Sequence, residues 1–192
     1  TDDKDIEITT FRDEVYDNKS RKPVVTFGND LLEDLKRRDF TINSMAKNPY
    51  TQVLIDPFGG REDIENKIIR AVGNPDDRFR EDPLRMLRAI RFSSRFGFVI
   101  EPQTLTAIAK NHELLKNISK ERIAQETTNI LTTKDPREGL VTLINTGLMR
   151  YIVPELYDQL NMHQSPPHHK DVFGHTIEAV KNIPNTPLLR WT

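Results

Sequence analysis

Apolar residues recur along this chain with two different periods, and the change from one to the other divides it. Near the start, IEITTF alternates apolar with polar side chains, and PVVTF at 23–27, QVLIDP at 52–57 and IIRAVG at 68–73 are short runs rich in β-branched residues. A period of two predicts strands, and a lone strand needs partners to be stable. Among them, Asn29 or Asp30 can cap a helix running through LLEDLKRRDFTINSMA, where Leu31, Leu35, Ile42 and Met45 form an apolar stripe. From Asp76 onward the period is helical almost throughout. It predicts helices over 83–97, 102–113, 119–131, 135–146 and 172–182, punctuated by Gly, Pro and Asn, with MHQSPPHHKD (162–171) as a proline-broken linker. The predicted class is therefore α+β, mostly α: a partial sheet first, helices after it.

Composition narrows this. The 192 residues allow one or two domains; 36% hydrophobic against 30% charged residues predicts a thin core spread along the helices. Basic and acidic residues nearly cancel, 28 against 29, so any site for a polyanion must be local. The absence of cysteine excludes disulfides, thiolate catalysis and cysteine-ligated zinc, and fits a reducing compartment. No apolar run is long enough for a membrane helix, and the acidic start TDDKDIEI lacks the character of a signal peptide, so the expectation is a soluble, cytoplasmic protein without a membrane partner.

The chemistry-bearing residues concentrate in five places. Glu7, between Ile6 and Ile8, is either a solvent-facing glutamate or a metal-site carboxylate carried on a sheet. KRRDF (36–40) is either the basic end of a helix, complementing its dipole, or a phosphate grip, since a guanidinium fork holds two phosphate oxygens at once. DPFGG (56–60) is a turn whose paired glycines can also hinge a loop. The densest signal is EDPLRMLRAIRF (81–92). Asp82 before Pro83 is a good helix N-cap, and Glu81 with Arg85 is an ordinary i, i+4 pair. Neither reading explains six arginines and no lysine between residues 78 and 95. Asp82 and Arg85, three apart, can point at one object, and a carboxylate acceptor beside a guanidinium donor is how side chains read base edges. His163, His168, His169 and His175 gather towards the end; a metal site there needs further converging ligands.

Taken in order, IEITTFR, LKRRDFTIN, IDPFGG, FREDPLRMLRAIRF and ISKERI resemble a class II CCA-adding tRNA nucleotidyltransferase, a group that includes bacterial poly(A) polymerases. RRDFTIN and EDPLRMLRAIRF are its most specific parts. The resemblance implies a nucleotidyltransferase head sheet, of which 1–66 would be the remaining part, a helical neck that recognises the base (67–134), and a helical body leading into a tail (135–192). It implies that Asp82 and Arg85 template CTP and ATP, and that Arg38, Arg88 and Arg91 serve the phosphates or the geometry of the site. Asp56, Gly59 and Gly60 would belong to a flexible loop, and Glu7 would be a supporting ligand for catalytic magnesium.

In that family the principal metal carboxylates precede the segment matched by Thr1, so the chain is expected to be an inactive fragment. HHKDVFGHT resembles the opening of an HD-type phosphohydrolase tail, which would make His175 a metal ligand. The expected activity is addition of CCA to tRNA 3′ ends from CTP and ATP. A poly(A) polymerase of the same family is one alternative, and a non-catalytic helical tRNA-binding module another.

Overall fold

The structure, a computed structural model, describes residues 12–15, 24–27, 30–158 and 172–191. IEITTF, Glu7 and the 162–171 linker lie outside the described residues. β1 (Arg12–Val15) and β2 (Val24–Phe27) pair antiparallel, with Arg12 opposite Phe27, so the PVVTF strand forms as its composition predicts. α1 (Leu31–Lys36) follows, its first turn closed by the Asp30 carboxylate accepting from the Leu32 N–H at 2.8 Å.

The helix expected to run on to residue 46 stops at Lys36, which corrects that reading. The next residues are drawn across the molecule instead. The Thr41 N–H donates to the Arg70 carbonyl and the Val72 N–H to that of Asp39, bridging Phe40 to Ala71 and seating Phe40, fully buried, in the core. A short 3₁₀ turn (Thr41–Asn43) brings Ser44 back so that its hydroxyl donates to the Leu35 carbonyl at 3.0 Å, beside the Arg38 N–H that donates to the same oxygen at 3.3 Å. Tertiary pairing overrides the apolar stripe here.

β3 (Ala46–Lys47) and β4 (Leu54–Ile55) form a small antiparallel hairpin, and α2 (Gly60–Glu65) leads to β5 (Ile68–Ile69). α3 (Pro75–Glu81) starts on the Asn74 cap with proline in its first turn. α4 (Leu84–Phe96) is the long central helix and ends at Gly97, whose φ of +66° places it in the left-handed cap conformation. β6 (Val99–Ile100), absent from the predicted elements, pairs in parallel with β5. Then come α5 (Pro102–Asn111), a 3₁₀ segment (His112–Asn117), α6 (Lys120–Leu131), α7 (Arg137–Asn145), α8 (Met149–Ile152), α9 (Pro154–Asp158), α10 (Val172–Asn182) and α11 (Pro187–Trp191).

α4 organises the core. Leu84, Met86, Leu87, Ala89, Ile90 and Phe92 are buried on it, in one cluster with residues from β5, α5, α6 and α7. At Gly139 a Cβ would stand 2.5 Å from the Ser94 hydroxyl and 2.6 Å from the Ile130 methyl, so only glycine lets α7 approach α4 and α6 this closely. On the other side, Arg70 clamps the small elements together: it meets both oxygens of buried Asp63 and one of Glu101, while Glu101 also accepts from Thr104 at the start of α5. The hydrogen bond to Asp63, assisted by both carboxylates, raises the Arg70 guanidinium above its ordinary value despite burial.

Candidate functional site

The site is assembled where α1 ends. Asp34, almost wholly buried, accepts from Arg37 at 2.6 and 3.0 Å and from Arg38 at 3.1 Å. The other fork of Arg38 donates to the Asn43 carbonyl at 2.9 Å. Both guanidiniums are thus aimed by a carboxylate one turn earlier on the same helix. Asp39, where the helix has already broken, turns inward. Its Oδ1 accepts from the Phe40 N–H and the Asn43 amide, and its Oδ2 takes Arg88 of α4 at 2.6–2.7 Å.

From the other direction, α3 and α4 supply guanidiniums to the open carbonyls of α1. Arg78 donates to the Lys36 carbonyl at 3.2 Å and Arg85 to that of Arg37 at 2.9 Å, partners 42 and 48 residues apart. This is the negative end of a helix, and two cations cap it. Glu81 stands between them, accepting from Arg78 and, at 2.9 Å, from Arg85. The Glu81–Arg85 pair expected from sequence is present, and it holds Arg85 in a buried position. Arg85 further donates to the Arg78 carbonyl. Of the five N–H donors on a guanidinium, these three bonds leave Nε and one proton on Nη2 uncommitted.

Asp82 lies beside this joint. Its Oδ1 accepts from the Leu84 N–H at 3.1 Å, capping α4, and its Oδ2 meets Arg122 of α6 at 3.2 Å. Between these elements opens a cleft of about 440 Å³, within the range of small-molecule sites. Arg37, Arg38, Arg85, Arg88 and Arg122 line it against two carboxylates, Asp39 and Asp82. Such a lining suits an anion with hydrogen-bonding edges.

Of the residues singled out from sequence, Arg38, Asp82, Arg85 and Arg88 meet in this one cleft. Arg91 does not line it. It points to α6, where its Nε lies 3.0 Å from Glu126 as an ion pair not aligned for a hydrogen bond, and its guanidinium covers the Phe92 ring at 4.6 Å. Burial pulls the Arg91 guanidinium below its ordinary value, opposed by the charge of Glu126. Asp56, Gly59 and Gly60, expected in a flexible loop, form a capping turn at the start of α2. Both oxygens of Asp56 accept N–H groups of Gly60 and Arg61, at 2.8 and 2.9 Å, and a Cβ on Gly60 would fall 2.2 Å from the Thr41 carbonyl oxygen. His175 lies in α10, and among the described residues no three potential ligands gather into a metal site.

Sequence reasoning passed over Asp39, Asn43 and Arg122. Asp39 and Asn43 sit inside the quoted RRDFTIN, and Arg122 inside ISKERI, so the signal was present without the contacts that give it meaning.

Residues 1–70 match the family model described as Poly A polymerase head domain, and residues 97–160 that described as Probable RNA and SrmB- binding site of polymerase A. The chain is 50% identical over 148 residues to the CCA-adding enzyme of Bacillus subtilis (strain 168), covering 77% of this chain and 37% of that protein. It is 44% identical over 185 residues to the CCA-adding enzyme of Lactobacillus delbrueckii subsp. bulgaricus, covering 93% and 46%. It therefore spans less than half the length of these relatives. Among solved structures, it resembles the Bacillus stearothermophilus CCA-adding enzyme in complex with CTP with a TM-score of 0.70 and 45% identity, over 80% of this chain and 37% of that one. The Thermotoga maritima CCA-adding enzyme complexed with tRNA aligns with a TM-score of 0.62 and 32% identity, over 79% and 34%.

Proposed function

Because this chain belongs to the family of class II CCA-adding enzymes and bacterial poly(A) polymerases, we propose that it serves the transfer of cytidylyl and adenylyl groups from CTP and ATP to tRNA 3′ ends. The observation that carries this reading is the shared cleft, lined by Asp82, by Arg85 and Arg88 of α4, and by Arg38 from the end of α1.

Cytosine and adenine each present an exocyclic amine beside a ring-nitrogen acceptor. The Asp82 carboxylate accepts from the amine, and an uncommitted proton of Arg85 donates to the ring nitrogen. Uracil and guanine place a carbonyl against the carboxylate and are rejected. Arg38, already aimed outward by Asp34, and the half-buried Arg88 face the triphosphate. In the transfer itself the tRNA 3′ hydroxyl gives up its proton to solvent as its oxygen bonds to the α-phosphorus, and the bond from that phosphorus to the bridging oxygen breaks, its electron pair leaving with pyrophosphate.

Magnesium is the cofactor this reading implies, supplying charge stabilisation at the attacking and leaving oxygens. The described residues do not fit it: none of them forms a cluster of three carboxylates or imidazoles, and Glu7, proposed as a supporting ligand, lies outside them. What they offer a nucleotide is guanidinium. No helix among the described residues is long and apolar enough to cross a membrane; the cytoplasmic setting proposed for the protein rests instead on tRNA and nucleoside triphosphates as its partners.

The test is to incubate the full-length protein containing these residues with tRNA lacking its terminal CCA and all four nucleotides, then sequence the product. Addition of CCA is expected. A run of A alone assigns the poly(A) activity instead, and RNA binding with no incorporation and no nucleotide binding assigns the non-catalytic module.

A further inference from the structure

Asp82 is useful as a base reader only if its carboxylate is held in one plane, and the geometry points to Arg122 as the residue that fixes it. This inference rests on the nucleotide-recognition reading of the cleft and adds to it a specificity-determining residue on a different helix. A carboxylate has two oxygens and about four lone-pair sites. Oδ1 takes the Leu84 N–H at 3.1 Å and Oδ2 the Arg122 guanidinium at 3.2 Å. One bond alone leaves the group free to turn about its last torsion. Two bonds on different oxygens, one from the backbone of α4 and one from α6, set that torsion and leave a lone pair on each oxygen for an incoming amine.

Arg122 suits positioning better than bracing. Its side chain is 53% exposed, against 27% for Asp82, and it lines the cleft. An ion pair this open adds little to stability. The other arginines of the cleft are tied elsewhere: Arg37 and Arg38 to Asp34, Arg88 to Asp39, Arg85 to Glu81. Arg122 is the cation on Asp82. It also cancels the carboxylate's charge where the triphosphate must approach, so that Asp82 selects the base without repelling the phosphates.

The experiment is a double-mutant cycle in the full-length protein. Asp82→Ala, Arg122→Ala and the double variant are compared for the incorporation rates of CTP, ATP, UTP and GTP, with melting temperature measured alongside. Arg122→Ala is expected to erode the preference for CTP and ATP over UTP and GTP by about tenfold, a part of what a paired base contact supplies, with the melting temperature nearly unchanged. The double variant is expected to select no worse than Asp82→Ala alone, because Arg122 acts through that carboxylate. Arg122→Lys, which keeps the charge without the planar fork, should restore selection only in part.

Unchanged selection in Arg122→Ala, or losses that multiply in the double variant, overturns the positioning role while the cleft reading stands on Asp82→Ala. If Asp82→Ala leaves selection intact, the cleft reading fails first and the inference with it.

Discussion

Arg85 and Arg88 on one side of α4, and Arg91 on the other, are the same residue type at equal spacing on one helix, yet they end in different environments. Arg85 and Arg88 face the broken end of α1 and line the cleft; Arg91 faces α6 and pairs with Glu126. Helix geometry accounts for the division. A step of three residues turns about 300°, so each arginine sits about 60° behind the last, and six residues carry the side chain about 120° around and 9 Å along the axis. The face towards α1 meets open carbonyls and Asp39, with solvent beyond. The other face meets a packed helix, so its cation is enclosed with one carboxylate. Regular spacing thus distributes one residue type between an open cleft and a packed helix face.

The sharpest way to break the comparison is from the α6 side. Glu126→Ala leaves Arg91 enclosed without its partner, and should cost about 3 kcal/mol in urea denaturation, as removal of one member of a buried pair does. Nucleotide selection among the folded molecules should not change; a selection defect would extend the site to both sides of α4.

On the cleft side, Asp82→Asn is the informative change. Asparagine caps a helix about as well as aspartate, so stability should hold within a few tenths of a kcal/mol. The carboxylate pair with Arg122 is lost, however, and discrimination against UTP and GTP should fall by roughly 1–3 kcal/mol in relative incorporation rates. Unaltered rates would reduce Asp82 to a cap.

Arg38→Ala should weaken CTP and ATP binding alike and lower stability by about 1 kcal/mol or less, because Arg37 still holds Asp34 and Arg38 is well exposed. Normal affinity with a large drop in melting temperature would move Arg38 to the structural side of the ledger.

The smallest effect lies away from both faces. Hydrogen bonds from Asn111 and Lys110 hold the Asp76 carboxyl below its ordinary value of 3.8. A depressed folded pKa contributes stability above the unfolded value, lost as pH falls through the folded one. Asp76→Asn should therefore slightly flatten the acid limb of a stability–pH curve below about pH 4 and leave nucleotide selection alone. An unchanged acid limb would show that the exposed pair contributes nothing measurable.

The helices from residue 83 to 146, and the helix 172–182, were legible because each buries one continuous stripe and carries its own stop: Gly97 after α4, proline at the start of α5. Asp82 was legible as either a cap or a base reader. The structure shows the cap, and because a carboxylate that spends one lone pair on the Leu84 N–H keeps others, the cap does not preclude the proposed base-reading role. The segment after Lys36 was not legible: Leu35 and Ile42 keep helical spacing there, and only the pairing of Phe40 with Ala71 shows that the chain crosses over instead. β6 was equally hidden, because a two-residue parallel strand carries no period and exists only beside β5.

By itself the sequence determined local periods, caps and the composition of the motifs, because these depend on neighbours a few residues away. It placed Asp82 and Arg85 among the candidates by type and spacing, and Arg38 and Arg88 by the family resemblance of their motifs. Tertiary structure decided which of them share a cleft, that Arg91 turns to Glu126 of α6, that Asp56, Gly59 and Gly60 form a capping turn, and that Arg122 reaches Asp82 from 40 residues away. The physical reason is range: a guanidinium and a carboxylate act over a few ångströms, and where those few ångströms fall is set by how separate helices pack.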